Sequence, residues 1–457
     1  MKRSHSQSSL HILYCAVFVL YSTLGVAFAQ TPEPLGDIFP VNETITDDQS
    51  TPEVDTDFDG AFVSVWMSAG QDGSGTGIFG QFFDEDGNEQ GLEFQVNDTT
   101  EGDQTDPIVS MGDDESFAVV WLGPDGDGTG IFLRMFDEDG ATTLTDIQVN
   151  DTTVGIQSNP DVALAEDGQV LVVWQSPDGD GEGVFGRFFD FDGVALSVEL
   201  PIPTSTAGDQ TEPDAEDVDE DGSFVVAWEG LDAEGRGIFA QQLDDTGSMI
   251  GGEIAVNTTT AGDQTMPVLG NQTDDDAVED NGFIIVWQGP DAEGFGIFAQ
   301  FFDEDGNPSG TEVQVNPDPA GDQTDPDVTI DDEGDFVVTW TEPDPQPLNA
   351  DLREGSRGLV VSKGSPILIR GRRFTKTSFT ADPSLSRGGL GSEVFDVASG
   401  VLQRPSIAAE ANGDFVVIWQ DANDGGGSGI FGQRFKIGLF SDGFETGDTT
   451  MWSSVSP

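Results

Sequence analysis

Two loops in this sequence spell Asp-x-Asp-x-Asp-Gly: Asp55, Asp57 and Asp59 before Gly60, and Asp217, Asp219 and Asp221 before Gly222. Carboxylates at alternate positions of a glycine-tightened turn can converge on one hard cation, and Ca2+ takes six to eight oxygen ligands of this kind. A further acidic ligand downstream, of the sort an EF-hand supplies, is missing, because the ninth positions are Val63 and Val225. Plain turn residues in an acidic chain are the competing reading. A second acidic set recurs in PDGDGTG-type loops as Asp125 and Asp127, Asp178 and Asp180, Asp232 and Glu234, and Asp291 and Glu293. A GDQT word recurs at 102–105, 208–211, 262–265 and 321–324, bringing Gln104, Gln210, Gln264 and Gln323. If the fold places both sets on one face, that face is the one expected to meet a cation or other ligand. The alternative is that Gln and Thr satisfy backbone groups between repeats.

The remaining chemistry is narrowed by what is absent. Residues 1–29 have a basic start (Lys2, Arg3), an apolar run from Ile12 to Leu20 and the small-residue pattern Ala27-Phe28-Ala29, which together form a cleavable secretory signal. Removing it takes away His5, His11, Tyr14, Tyr21 and Cys15, every residue of those three types. A Ser-His-Asp triad, a thiol nucleophile and a histidine zinc site are therefore excluded. Paired-carboxylate chemistry of the polysaccharide hydrolase or lyase kind remains. In a chain with 86 Asp and Glu, however, an acidic pair is uninformative, and a non-catalytic protein is the expectation. A net charge of −70 excludes nucleic acid and anionic membrane as partners. Divalent cations, Ca2+ above all, and cationic or polysaccharide surface components are the natural counterparts. No second apolar segment approaches a membrane span, so a secreted or cell-envelope monomer is expected.

These residues must be positioned by a repeat. FVSVW (62–66), FAVVW (117–121), LVVW (171–174), FVVAW (224–228), FIIVW (283–287), FVVTW (336–340) and FVVIW (415–419) recur every 53–59 residues, with one interval of 79. Each follows a Pro-started stretch such as PDVAL (160–164) and precedes GIFGQFF-type and EFQVN-type words, with Asp/Gly turns between them. Continuous apolar runs bounded by turn signals read as buried strands, four per unit. Seven such units describe an all-β, seven-bladed β-propeller of four-stranded antiparallel blades; an open β-repeat array is the alternative. The last unit stops after GIFGQRF (429–435), whereas IFPVN (38–42) precedes the first. Pairing the orphan strand with the incomplete blade would close the ring and leave no open edge. The seven repeated tryptophans are then inter-blade core, not a stacking platform for sugars. The Asn-x-Thr triplets at Asn42, Asn97, Asn150, Asn257 and Asn271 match glycosylation acceptors, but four of them end a strand where a turn asparagine is expected.

The VVW, GIFGQRF and EFQVN words resemble the tandem repeats of large exported proteins of environmental bacteria. The final SDGFETGDTTMW (441–452) resembles their GFESGD-type C-termini. The resemblance implies a cell-envelope or extracellular setting and no particular activity. The Asp-x-Asp-x-Asp-Gly loops are also similar to the calcium loops of integrin-type propeller repeats. The expected layout is a linker at 30–37, a propeller at 38–437 and a tail at 438–457. A basic insertion is placed at about 344–373 in the last blade, with Arg353, Arg357, Lys363, Arg370, Arg372, Arg373 and Lys376 in or beside it.

Overall fold

In a computed structural model, residues 32–436 are described apart from 139, 143, 219–221, 272–281, 332–333, 345–366, 375–394, 401 and 423–426. Seven antiparallel sheets of four strands stand in a ring, and the fold is a β-propeller without helices among the described residues. The inner strands, nearest the axis, are Gln49–Thr56, Thr105–Met111, Ser158–Leu164, Thr211–Asp217, Thr265–Asn271, Thr324–Ile330 and Leu402–Ala409 for blades one to seven. Each pairs with a Trp-word strand, then a third strand, then an outer strand. The Trp-word strands are buried on both faces, which is why their sequence is a continuous apolar run.

Seven hydrophobic clusters fill the seven junctions between neighbouring blades. All seven repeated tryptophans lie in them, at most 2% exposed, so they are core as expected. Trp121, Trp174, Trp228 and Trp287 stack on Phe132, Phe185, Phe239 and Phe298 of the adjoining third strands. At the opposite end of the same strand pairs, Phe62, Phe117, Phe283, Phe336 and Phe415 stack on Phe83, Phe136, Phe302, Phe374 and Phe435. Aromatic pairs of this kind add about 0.5–1.5 kcal/mol each beyond burial.

The ring closes through its N-terminal strand. Glu33–Pro40 pairs with Gly429–Lys436, with Phe39 opposite Gly432 and Pro40 opposite Phe431. Val41 donates its N–H to the Ile430 carbonyl at 2.9 Å, and the Asn42 side chain accepts the Ile430 N–H at 2.7 Å. The strand begins five residues earlier than the sequence suggests, so most of the expected linker is structural. The insertion is also relocated. It falls between Phe336–Pro343 and Ile367–Phe374 of blade six, because ILIRGRRF is itself a third-strand word. Arg370, Arg372 and Arg373 are strand residues: Arg370 pairs with Glu342 at 3.0 Å and Arg373 with Asp335 at 2.8 Å. Arg353, Arg357, Lys363, Lys376 and the C-terminal tail lie outside the described residues.

Deleting residues 33–42 removes the outer strand of blade seven and leaves the other six blades complete. Hydrogen exchange should then lose protection first in Gly429–Lys436 and Phe415–Asp421, with blades two to four unchanged. Uniform loss across the ring would show that closure is not local to that blade.

Candidate functional site: an acidic axial channel

The inner strands share one grammar with a strained start. Each begins with an X-Pro pair, and the residue before proline has a positive φ in all seven blades: Thr51, Asp106, Asn159, Glu212, Met266, Asp325 and Arg404 lie at 48° to 54°. Non-glycine residues adopt this conformation rarely and at a cost of about 1–3 kcal/mol. A register shift follows in every inner strand, as between Ser158 and Asp161 or Thr324 and Asp327. The shift re-aims the chain so that the residue after proline faces the axis. Those residues are Glu53, Ile108, Asp161, Asp214, Val268, Asp327 and Ser406.

An axial cavity of about 270 Å³ results. Nine carboxylates line it, from Glu53, Asp55, Asp113, Asp161, Glu166, Asp214, Glu216, Asp217 and Asp327, and no Lys or Arg stands among the described lining residues. Many of these groups hold the ring together. Asp161 accepts the N–H of Ala215 at 2.6 Å, Asp214 that of Leu269 at 2.7 Å, and Asp327 that of Ile407 at 2.8 Å. Asp55 accepts the N–H of Met111 at 2.8 Å. The hydroxyls of Ser110 and Ser406 do the same for Leu164 and Val54 at 3.0 and 3.2 Å. Each bond runs from one blade to the inner strand of the next, and leaving such an N–H unpaired costs about 1–3 kcal/mol.

Around the axis Glu53, Asp55, Asp161, Asp214, Glu216, Asp217 and Asp327 are half-buried, while Asp113 and Glu166 are exposed; restricted access to bulk water disfavours the charged form of the first seven. Burial, then repulsion from Asp327, pushes Glu53 up to about 8. Burial likewise pushes Asp55 and Asp327 up to about 7 against the lowering effect of their backbone hydrogen bonds. Burial and repulsion from Glu166 push Asp217 up to about 8. Asp161 and Asp214 are both raised, by burial first, and Asp214 further by the Asp161 charge beside it. Glu216 is raised by burial and by its acidic neighbours alone.

Of the residues singled out from sequence, Asp55 and Asp217 are in this channel, but the three aspartates of the first loop do not converge on one point. Asp57 turns away and accepts the N–H groups of Gly60 and Ala61 at 2.7 and 2.8 Å, while Asp59 is exposed. Asp219 and Asp221 lie outside the described residues. Among the described residues no group of three acidic side chains is already arranged to hold a metal ion.

Asp125, Asp178, Asp232 and Asp291 each cap their own turn, accepting the N–H of Asp127, Asp180, Glu234 and Glu293 at 2.8–3.0 Å. The second members of these pairs are exposed. Gln104, Gln210, Gln264 and Gln323 are 1–4% exposed and are not presented on a surface. Gln104, Gln264 and Gln323 accept the amides of Asn97, Asn257 and Asn316 at 3.1, 3.0 and 2.6 Å, and those asparagines cap Ile78, Ile238 and Ile297. Between blades three and four Pro203 replaces the asparagine, and Gln210 keeps its donor bonds to the Ala207 and Gly208 carbonyls, as Gln323 does to Ala320 and Gly321. The sequon residues Asn42, Asn97, Asn150 and Asn257 are therefore buried turn residues. Sequence reading missed Glu53, Asp113, Asp161, Glu166, Asp214, Glu216 and Asp327. The available signal was the Pro-Asp or Pro-Glu dipeptide opening four inner strands.

No protein family and no curated protein matches the sequence. Several solved structures share the fold at low identity. A protein of unknown function from Dyadobacter fermentans is 10% identical over 89% of this chain and 99% of its own, with a TM-score of 0.47. An ulvan lyase bound to -[GlcA(1-4)Rha3S]- is 9% identical over 90% and 95%, with a TM-score of 0.49. The endosialidase of phage phi92 is 11% identical over 91% and 70%, with a TM-score of 0.47. At such identities the likeness shows the fold alone. The expectation of a non-enzyme is withdrawn: propeller enzymes stand among these neighbours, and likeness at this level assigns this chain neither an activity nor the lack of one.

The raised carboxylates fix the sign of the pH dependence. A group whose folded pKa exceeds its unfolded value contributes stability that is full below about pH 4 and is lost as the pH climbs through the folded value. In chelator and low salt, melting should therefore occur several degrees higher at pH 5 than at pH 8. Asp161→Asn keeps an acceptor for Ala215 and sheds the charge, so it should raise the pH 8 melting temperature, whereas Asp161→Ala should lower it. Equal effects of the two variants would contradict the double role assigned to this side chain.

Proposed function

We propose that this chain is an exported binding protein whose axial channel takes up a cationic ligand. The observation that carries the reading is the lining itself, nine carboxylates in one cavity with no Lys or Arg among the described residues around them. Like charges confined at low dielectric cannot all stay ionised. Either protons or cations must neutralise them. At neutral pH a cation that brings its own charge relieves both repulsion and burial cost. The ligands offered are all oxygen, from carboxylates, the hydroxyls of Ser110 and Ser406 and the amide of Asn271, and oxygen donors suit Ca2+ or an ammonium group. The leader at 1–29 supports an exported setting, where calcium is plentiful.

The test is calorimetric titration at pH 8 with Ca2+, Mg2+ and spermidine, alongside melting with and without chelator. Wild type should bind at least one of them and melt higher when it does. The double variant Asp161→Asn, Asp214→Asn should weaken binding by about tenfold, which is 1.4 kcal/mol. Binding that survives the double variant unchanged would place the cations on the outer surface.

A second reading has its own observation. At neutral pH the cavity holds carboxylates pushed up to about 8 beside others near 7, so protonated and ionised forms coexist there. That pairing is what an acid and base acting on a glycosidic bond need. A screen against polysaccharides, with Asp161→Asn as control, tests it: hydrolysis that the variant abolishes supports this reading.

A further inference from the structure

On each inner strand the pre-proline residue stands two positions before the residue that faces the axis, toward one end of the channel. Proline is invariant there, while the residue before it differs widely: Thr51, Asp106, Asn159, Glu212, Met266, Asp325 and Arg404. Only Arg404 brings a positive charge, and it does so at a φ of 49°, where a long side chain gains nothing from the backbone. Its guanidinium stands 3.6 Å from the Asp106 carboxylate. That contact reaches from blade seven to blade two, over blade one, whose pre-proline residue Thr51 is buried, at 7% exposed, with its hydroxyl unpartnered.

The Arg404–Asp106 contact is loose. Both side chains are about half exposed, at 56% and 42%, and the separation exceeds a hydrogen bond. Exposed pairs of this sort are worth about 0–1 kcal/mol and are screened by salt. Arg404 also attracts Glu53, the first inward carboxylate of blade one, and Glu212, the pre-proline residue of blade four. One half-exposed cation thus faces acidic groups outside and inside the mouth.

We propose that Arg404 is the tethered counter-ion of the channel, holding the place at its mouth that an incoming cation must take. This rests on the cation-binding reading above. In the empty protein the guanidinium partly neutralises Glu53 and Glu212. An arriving cation replaces that charge, and Arg404 is left to Asp106. The residue therefore sets a threshold for occupancy, because every bound cation works against its repulsion.

Three proteins test this: wild type, Arg404→Gln and Arg404→Lys, each as the full chain. In titrations with Ca2+ and with spermidine, Arg404→Gln should bind about three- to tenfold more tightly than wild type, the scale of one nearby charge at a protein surface. Arg404→Lys should stay close to wild type. Equal or weaker binding by Arg404→Gln overturns the proposal. If no protein binds either cation, the function proposed above fails on its own, and melting of the ligand-free proteins decides the role of Arg404. At low ionic strength Arg404→Gln should then melt a few degrees below wild type and Arg404→Lys, with the gap closing in about 0.5 M NaCl. No gap at low salt overturns it.

Discussion

The innermost strand of each blade is an edge, and its N–H groups that face the axis have no strand to pair with. Everything at the centre of this molecule follows from how those groups are satisfied. Six of the seven junctions place a side-chain oxygen of one blade on an inner-strand N–H of the next, four times from aspartate and twice from serine. At the junction of blades five and six the corresponding positions are Val268 and Gly270, which offer no oxygen. Carboxylates chosen as acceptors must point inward. Once several point inward, their charges meet in the same cavity.

The same device recurs at the rim of the ring. Glu93, Asp146, Glu199, Glu253 and Glu312 accept backbone N–H groups at Thr44, Thr99, Thr152, Thr204 and Thr259 or their neighbours in the preceding blade. Asp103, Asp209, Asp263 and Asp322 cap the starts of third strands in the same way. Much of the acidity that looks like surface charge is thus hydrogen-bonding hardware, with carboxylates working as acceptors in a chain that has few cations to pair them. At the outer rim water screens the charge; on the axis it cannot. That difference of setting distinguishes the axial carboxylates from those of the outer rim.

The architecture was legible in the sequence because it is written in repeated words with their own punctuation. Seven Trp words, seven Pro starts and complementary ends were enough to place the blades and their closure. The insertion was misplaced by one blade, since ILIRGRRF differs from GIFGQRF enough to pass for part of a loop. The site was far less legible. Asp-x-Asp-x-Asp-Gly stood out as a motif, yet Asp57 folds back onto its own turn, and of the described motif residues Asp55 and Asp217, the first of each loop, reach the axis. Glu53, Asp161, Asp214 and Asp327 carry no motif beyond a preceding proline. What joins them is the rotation of seven blades about one axis, and residues more than fifty positions apart become neighbours only after the ring is closed.

The central claim is that the axial carboxylates are held as hydrogen-bond acceptors and share more charge than the enclosed channel can carry. A carbon-13 NMR titration of the side-chain carboxyls in cation-free protein tests it most directly. The account predicts several carboxyls titrating between about pH 6 and 8, moved downward by a bound cation and fewer in number in Asp161→Asn, Asp214→Asn. If every carboxyl instead titrates below about pH 5, the channel is hydrated like open surface and the account is wrong.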